Sequence, residues 1–423
     1  MELKIHPTRL PLIPDFERSQ FSNGLTVRVL PDLSQELIKM VLTVKAGSIH
    51  SANKVAAEFS ALVIEKGSTT RSANLIAQEL DYYGVVFNQA VTQTFFRFSI
   101  QCLRKHFRDV LPIVADFILH PTYPESEVKL YAEQSKVNYR VSRMRPGRVV
   151  LDAMTSDYFA ENSPFGRVTK EEDYDSINVQ DIRDYQAKVF RPDISILSLG
   201  GCLGAEELKY IEHYFGENSW ERPAEPFDNK IDVALRPVSQ RYRHIDMPDA
   251  QQASVMFCLP MIEQGDKDYP AMYVTDYILG GGTLSSRLMS NIREKKGLTY
   301  GIQSYINGNC YWSRHNIVSE VNRDKVGVVI DEVSNEIRRM QEELVPEDEL
   351  AMSLATLKGS FLSDFDGTLS CFDSMIPMMD GFGLTEEDIR RRHAVLETIT
   401  SEDIMRCAQS YYNVDGYRII SAG

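Results

Sequence analysis

The residues with the strongest claim on chemistry lie in one stretch, Gly280 to Tyr300, GGGTLSSRLMSNIREKKGLTY, with a guanidinium at Arg293 and a phenol at Tyr300. Three consecutive glycines read as a tight turn whose backbone comes close to a neighbour. Thr283 is placed to cap a helix, and Leu284, Leu288, Met289 and Ile292 recur at helical spacing to give that helix a buried stripe. Arg293, Lys295 and Lys296 gather in its last turn, where the macrodipole favours cations, and Gly297 ends it. From Leu298 the pattern alternates, Leu298, Tyr300 and Ile302 against Thr299, Gly301 and Gln303, which is the period of a strand. Arg293 and Tyr300 therefore flank one helix-to-strand corner. Pattern alone is satisfied by a local account: Arg293 complements a helix terminus, and Tyr300 packs beside Leu298 and Ile302 with its hydroxyl at the edge of the core.

Other chemistries find little support. The eight histidines, His6, His50, His106, His120, His213, His244, His315 and His393, never pair at i and i+3 or i+4, so no helix presents a two-histidine metal face. There is no nucleophile elbow and no phosphate-binding Gly-x-x-x-x-Gly-Lys loop. The cysteines, Cys102, Cys202, Cys258, Cys310, Cys371 and Cys407, are scattered without a Cys-x-x-Cys pair, which predicts mostly buried, reduced thiols.

A chain of 423 residues exceeds one ordinary core, and 43% hydrophobic with 25% charged residues describes a soluble globular protein. A formal charge of −14 argues against nucleic acid, whose phosphates need a basic surface. No apolar run is long enough to span a bilayer. The opening MELKIHPTRLPLIPDFERSQ mixes acids, bases and prolines without an apolar core, unlike a secretory signal or presequence, and a cytoplasmic setting is expected.

The elements that position the corner recur. Asp181-Ile182 and Asp403-Ile404 each open a helix, short turn and β-rich strand, with Asp193 and Asp415 at matching places and ends near Gly200 and Gly423. Ile38 to Ala46 is a strand followed by the helical stretch Val55 to Lys66, which ends at Gly67; Gln252 to Pro260 is a strand followed by DYPAMYVTDYILGGG. Two similar halves are expected, residues 1–216 and 241–423, joined by an exposed linker at 217–240, a segment rich in Pro, Asn, Glu and Ser. Ser22 to Val27 carries an Asn-Gly turn leading into a strand.

The stretch GGGTLSSRLMSNIREKKGLTYGIQSY resembles the C-terminal-half signature of the pitrilysin/insulinase-type zinc metallopeptidases, the family that includes the mitochondrial processing peptidase. The resemblance extends over nearly the whole chain. It implies an α+β protein of two similar domains, each an antiparallel-dominated sheet with helices packed on one face, closing as a clamshell. In that family an arginine and a tyrosine, here Arg293 and Tyr300, reach into the active site made by the other half and hold the substrate carbonyl. Gly84 to Phe96 resembles the edge strand that receives substrate as an added strand in catalytic subunits; here it would line a vacated site, and an ordinary amphipathic strand accounts for it better. On the resemblance, Asn88, Gly281 and Gly282 are the substrate-binding candidates. Ser163 to Arg167 resembles a His-Pro-Tyr-Gly-Arg turn without its histidine.

The first half departs from the family. Where the family carries His-x-x-Glu-His, with two imidazoles on zinc and a glutamate activating water, this chain has Glu58, Ala61 and Leu62. Leu62 cannot ligate, Ala61 cannot act as a base, and Glu58 alone leaves too few ligands. The family's acidic third ligand also has no counterpart, since Gln134 to Leu151 contains no Asp or Glu. The resemblance therefore implies a non-catalytic subunit of a heterodimeric peptidase, with no cofactor on this chain and zinc in a homologous partner that acts on peptides. As an isolated chain it admits a homodimer. A proteolytically inactive peptide-binding or assembly scaffold of the same fold is the alternative, and an autonomous hydrolase with an unrecognised site is a third reading.

Overall fold

The Asn23-Gly24 pair folds the chain back on itself: Gly24 adopts a φ of +91°, open to glycine, and Asn23 bonds the carbonyls of Phe215 and Trp220, both at 2.8 Å. This turn joins β1 (Glu17–Gln20) to β2 (Thr26–Pro31) in a computed structural model that describes residues 11–216, 219–231 and 233–423. The first ten residues, His6 among them, and linker positions 217, 218 and 232 lie outside the described residues.

Alternating and apolar runs then supply β3 (Leu37–Val44), β4 (Val86–Val91), β5 (Phe96–Leu103) and β6 (Ser195–Gly201). They form a six-stranded sheet ordered β1-β2-β6-β3-β5-β4, antiparallel except for the β2–β6 pair. The second half repeats this plan with β7 (Tyr242–Ile245), β8 (Ala253–Pro260), β9 (Thr299–Gly308), β10 (Ser313–Val321) and β11 (Arg418–Ala422). Its order, β7-β11-β8-β10-β9, again has one parallel pair, β7–β11. The helices Val179–Val189 and Ser401–Tyr411 lead into β6 and β11, so the two sequence repeats occupy equivalent places. Asn178 and Thr400 cap them by accepting from the amides of Asp181 and Asp403.

One face of each sheet carries its own half's helices over an apolar core: Val27, Met40, Leu42 and Phe98 in the first, Val255, Phe257, Ile317 and Ile419 in the second. The opposite faces are covered reciprocally. Helix Pro146–Tyr158 of the first half lays Val149, Val150 and Met154 against Met256, Cys258 and Ile420 of the second sheet. Helix Thr368–Phe382 of the second half lays Phe372, Met375 and Ile376 against Leu30 and Val41 of the first. A Cβ on Gly200 would stand 2.8 Å from the Phe372 ring, so β6 needs glycine where this helix crosses it. Asp380, on the same helix, is bonded by Arg28 at 2.8 Å and by the Thr43 hydroxyl at 2.7 Å.

One element differs from expectation. The helix after β3 runs only from Ala56 to Leu62 rather than to Lys66, because the β-branched Val63 and Ile64 turn into the core before Gly67 reverses the chain at φ +150°. The connector is exposed over most of residues 221–240 and is pinned at several points. Trp220 is buried beside Phe215 and donates its indole N–H to the Phe190 carbonyl at 3.2 Å, and the amide of Arg236 bonds the Tyr158 carbonyl at 2.9 Å. Five of the six cysteines are buried, all six are unpaired, and Cys310 is exposed. Among the described residues no helix is long and apolar enough to cross a membrane.

Candidate functional site

The helix-to-strand corner of the second half is built by close approach. Helix Tyr269–Asp276 widens into a π-type turn at Tyr277–Gly281, so two of the three glycines do sit in helical geometry. A Cβ on Gly280 would lie 2.5 Å from the Ser304 hydroxyl and 2.7 Å from its backbone nitrogen, which fixes glycine where the turn presses on β9. Gly282 closes the turn, donating its N–H to the Tyr277 carbonyl at 2.7 Å, and Gly281 packs against Asp276. Thr283 does not cap the helix. It takes a φ of +49° and opens a short 3₁₀ turn, and Ser286 instead accepts from the amide of Met289 at 3.4 Å. Leu284, pushed outward by that turn, is 59% exposed rather than part of the buried stripe, which consists of Leu288, Met289 and Ile292. The helix Met289–Lys295 is again π-type and ends at Gly297, φ +61°, whose N–H bonds the Arg293 carbonyl at 3.0 Å.

Tyr300 does not pack at the core edge as the local account holds; it is 86% exposed. The cause is a β-bulge. Thr299 pairs with Val321 and Ile302 with Ser319, so Tyr300 and Gly301 together oppose the single residue Glu320. Bulges re-aim side chains and recur beside active sites. This one is held by the Thr299 hydroxyl, which bonds the Glu320 carbonyl at 2.6 Å and accepts from the Gly301 amide at 3.0 Å, while Ser319 bonds the Gly301 carbonyl at 2.9 Å. Arg293 is half-buried, and neither it nor Tyr300 has a side-chain hydrogen-bond or ion-pair partner among the described residues. A cleft of about 360 Å³ adjoins the bulge, lined by Ser254, Thr283, Gly301, Gln303, Ser319 and Glu320. The first half reaches this cleft, because a Cβ on Gly147 would lie 3.2 Å from the Glu320 carboxylate.

Thr299, Ser319 and Glu320 were not singled out by sequence. The signal that could have found them is Gly301, an isolated glycine within a strand pattern, which marks a bulge or close backbone approach.

In the first half, Glu58, Ala61 and Leu62 lie on helix Ala56–Leu62. Glu58 faces water, yet the protein around it raises its carboxyl pKa by desolvation, with Arg148 pulling the other way. Ala61 is buried and Leu62 half-buried against the core. A carboxylate, a methyl and an isobutyl group do not fit a zinc ion and its base. Among the described residues no three His, Cys, Asp or Glu side chains converge as a metal-binding set. Asn88 is exposed on β4, the edge strand of the first sheet, paired on one side only with β5; β9 is the corresponding edge of the second. At the Ser163 to Arg167 corner, Phe165 is fully buried, 5.6 Å from the rings of Phe159 and Tyr311, and Arg167 bonds the Ser51 carbonyl at 2.8 Å. That corner ties the halves together.

This arrangement of two repeated sheet-plus-helix halves has counterparts. Residues 29–170 match the family model for insulinase, peptidase family M16, and residues 176–357 match the peptidase M16 inactive domain. The chain belongs to peptidase family M16, its first half matching the insulinase model and its second the family's inactive domain. It is 22% identical over 360 residues to an uncharacterised zinc protease of Bacillus subtilis, covering 84% of this chain and 85% of that one. It is 21% identical over 415 residues to the mitochondrial-processing peptidase subunit beta of Saccharomyces cerevisiae, covering 94% and 88%. The peptidase M16 inactive domain from Pseudomonas fluorescens has the same fold, with a TM-score of 0.88, 20% identity and coverage of 97% and 98%. A protease from Helicobacter pylori also shares the fold, at a TM-score of 0.87, 15% identity and coverage of 98% and 100%.

Proposed function

We propose that this chain is the non-catalytic subunit of a heterodimeric zinc metallopeptidase acting on peptides in a cytoplasmic setting. The observation that carries this reading is the exposed Tyr300, aimed outward by a bulge near Arg293; among the described residues Arg293 has no side-chain partner and the first half holds no metal-binding set. Similarity to a mitochondrial-processing peptidase beta subunit and, over 52% of this chain, to the alpha-1 subunit of Dictyostelium discoideum supports a homologous, zinc-bearing partner. In such a complex the partner's metal site supplies the attack on the peptide. This chain presents the Tyr300 hydroxyl and the Arg293 guanidinium as donors to the carbonyl oxygen as it becomes an oxyanion. The free edge of β4 at Asn88 offers backbone groups to an extended peptide.

The test is peptide cleavage by the assembled complex. Arg293→Ala and Tyr300→Phe should each lower kcat by about 10²- to 10³-fold, the usual cost of one oxyanion donor, with zinc content and assembly unchanged. Wild-type turnover in both variants would sink the role. Failure of the chain to associate with any zinc-bearing homologue would favour the inactive scaffold.

A further inference from the structure

Where the connector crosses from the first half to the second, it closes a cavity of about 220 Å³ lined by Asp157, Arg236, Arg243 and Arg418, with Ser239 and Gln240. Each face of the joint contributes: Asp157 comes from helix Pro146–Tyr158, Arg236 from the connector, Arg243 from β7 and Arg418 from β11. The charges do not balance. Asp157 is engaged by Arg243 at 2.8 Å, and it is the one carboxylate among three guanidinium groups. Arg418 is 6% exposed, and among the described residues it has no carboxylate within ion-pair distance. Its Nη2 donates to the Arg236 carbonyl at 2.8 Å, and its guanidinium lies 5.8 Å from the centre of the Tyr158 ring. Burial lowers its pKa, the mark of a charge held where water solvates it poorly. A buried cation whose one nearby carboxylate, Asp157, is already bonded to Arg243 is costly.

We propose that this cavity is a binding site for a small, doubly charged oxyanion, either free phosphate or the phosphoryl end of a small metabolite. Guanidinium groups bind phosphate in parallel, charge-assisted pairs, and three of them against one carboxylate leave two positive charges for a dianion. A ligand here would join connector, first-half helix and second sheet at one point. Binding to the folded state alone then stabilises that joint by mass action.

The experiment is thermal unfolding and titration calorimetry of the full chain with inorganic phosphate or glycerol 3-phosphate, against chloride at matched ionic strength. A saturable rise in Tm and a single-site isotherm with at least one of the two anions are expected, and the tighter binder identifies the source. Arg236→Gln and Arg243→Gln lie on the accessible rim and should each weaken binding about tenfold or more, while Asp157→Asn should tighten it. Absence of a saturable response to either anion would overturn the assignment. A response unchanged in both arginine variants would do the same, since it would place the anion elsewhere.

Discussion

Helix Thr368–Phe382 crosses the first sheet through two ion pairs of very different burial, and that difference sets the outcome of substitution. Asp380 has a fully buried side chain, and its partner Arg28 is almost as buried; Thr43 bonds the second oxygen, and Arg97 lies 4.0 Å away. Asp373, on the same helix, pairs with Lys39 of β3, but its side chain is 58% exposed. Asp380→Asn removes the charge and keeps the volume, leaving two buried guanidinium groups without a counter-ion. Breaking one partner of such a pair costs about 3–5 kcal/mol. The exposed pair is screened by water, so Asp373→Asn should cost at most ~1 kcal/mol. With an unfolding entropy of roughly 2.1 cal/mol/K per residue, a chain of this length melting as one unit loses about 3–6 °C for Asp380→Asn. If only one half melts cooperatively, the same cost gives roughly 7–11 °C. Calorimetry and urea unfolding of both variants make the comparison. Equal losses for the two, or a loss below ~1 kcal/mol at Asp380, would refute the claim that burial decides the worth of these pairs.

Further predictions concern other sites. His393 sits between Phe361 and Phe365 with both ring nitrogens unpartnered, and burial lowers its pKa from 6.5 to about 4. The unfolded chain therefore takes this proton first: stability is full above pH 6.5 and is lost as pH falls toward about 4, and His393→Phe should flatten that slope in Tm against pH. Thr299→Val removes the hydroxyl that holds the bulge, so it should cost roughly 1–2 kcal/mol of stability and lower cleavage by the assembled complex although residue 300 is intact. Gly280→Ala drives a Cβ into Ser304, including its backbone nitrogen, and should destabilise by about 1–3 kcal/mol or more in urea unfolding.

The repeated halves were legible because the helix-turn-strand units at Asp181 and Asp403 share caps, apolar positions and chain reversals, all of them local features. Tyr300 was legible as a residue type and position but not as an exposed side chain. Alternation puts it on the face of Ile302, and one extra residue in a strand cancels that parity without changing the pattern around it. Thr283 looked like a cap because capping is read from residue type, whereas the glycine turn, with Gly280 pressed on β9, leads into a different turn at Thr283. The reciprocal covering of the sheets could not be read at all. Val149, Val150 and Met154 announce an apolar helix face, but periodicity says only that such a face is buried, not which sheet receives it.

That reciprocity bears on how a chamber in the proposed complex would open. Swinging the halves of this chain apart would strip Phe372, Met375 and Ile376 from the first sheet and Val149, Val150 and Met154 from the second, and would part Asp380 from Arg28. Each large apolar side chain returned to water costs about 1.5–3 kcal/mol, so these six alone oppose the motion by roughly 9–18 kcal/mol, before the ion pair is counted. A domain opening during turnover must be populated far more often than such a cost allows. In the proposed complex the movable boundary would therefore lie between this chain and its partner. The corner carrying Arg293 and Tyr300 would travel as part of a rigid body, and its approach to a bound peptide would depend on the rotation of one whole subunit against the other.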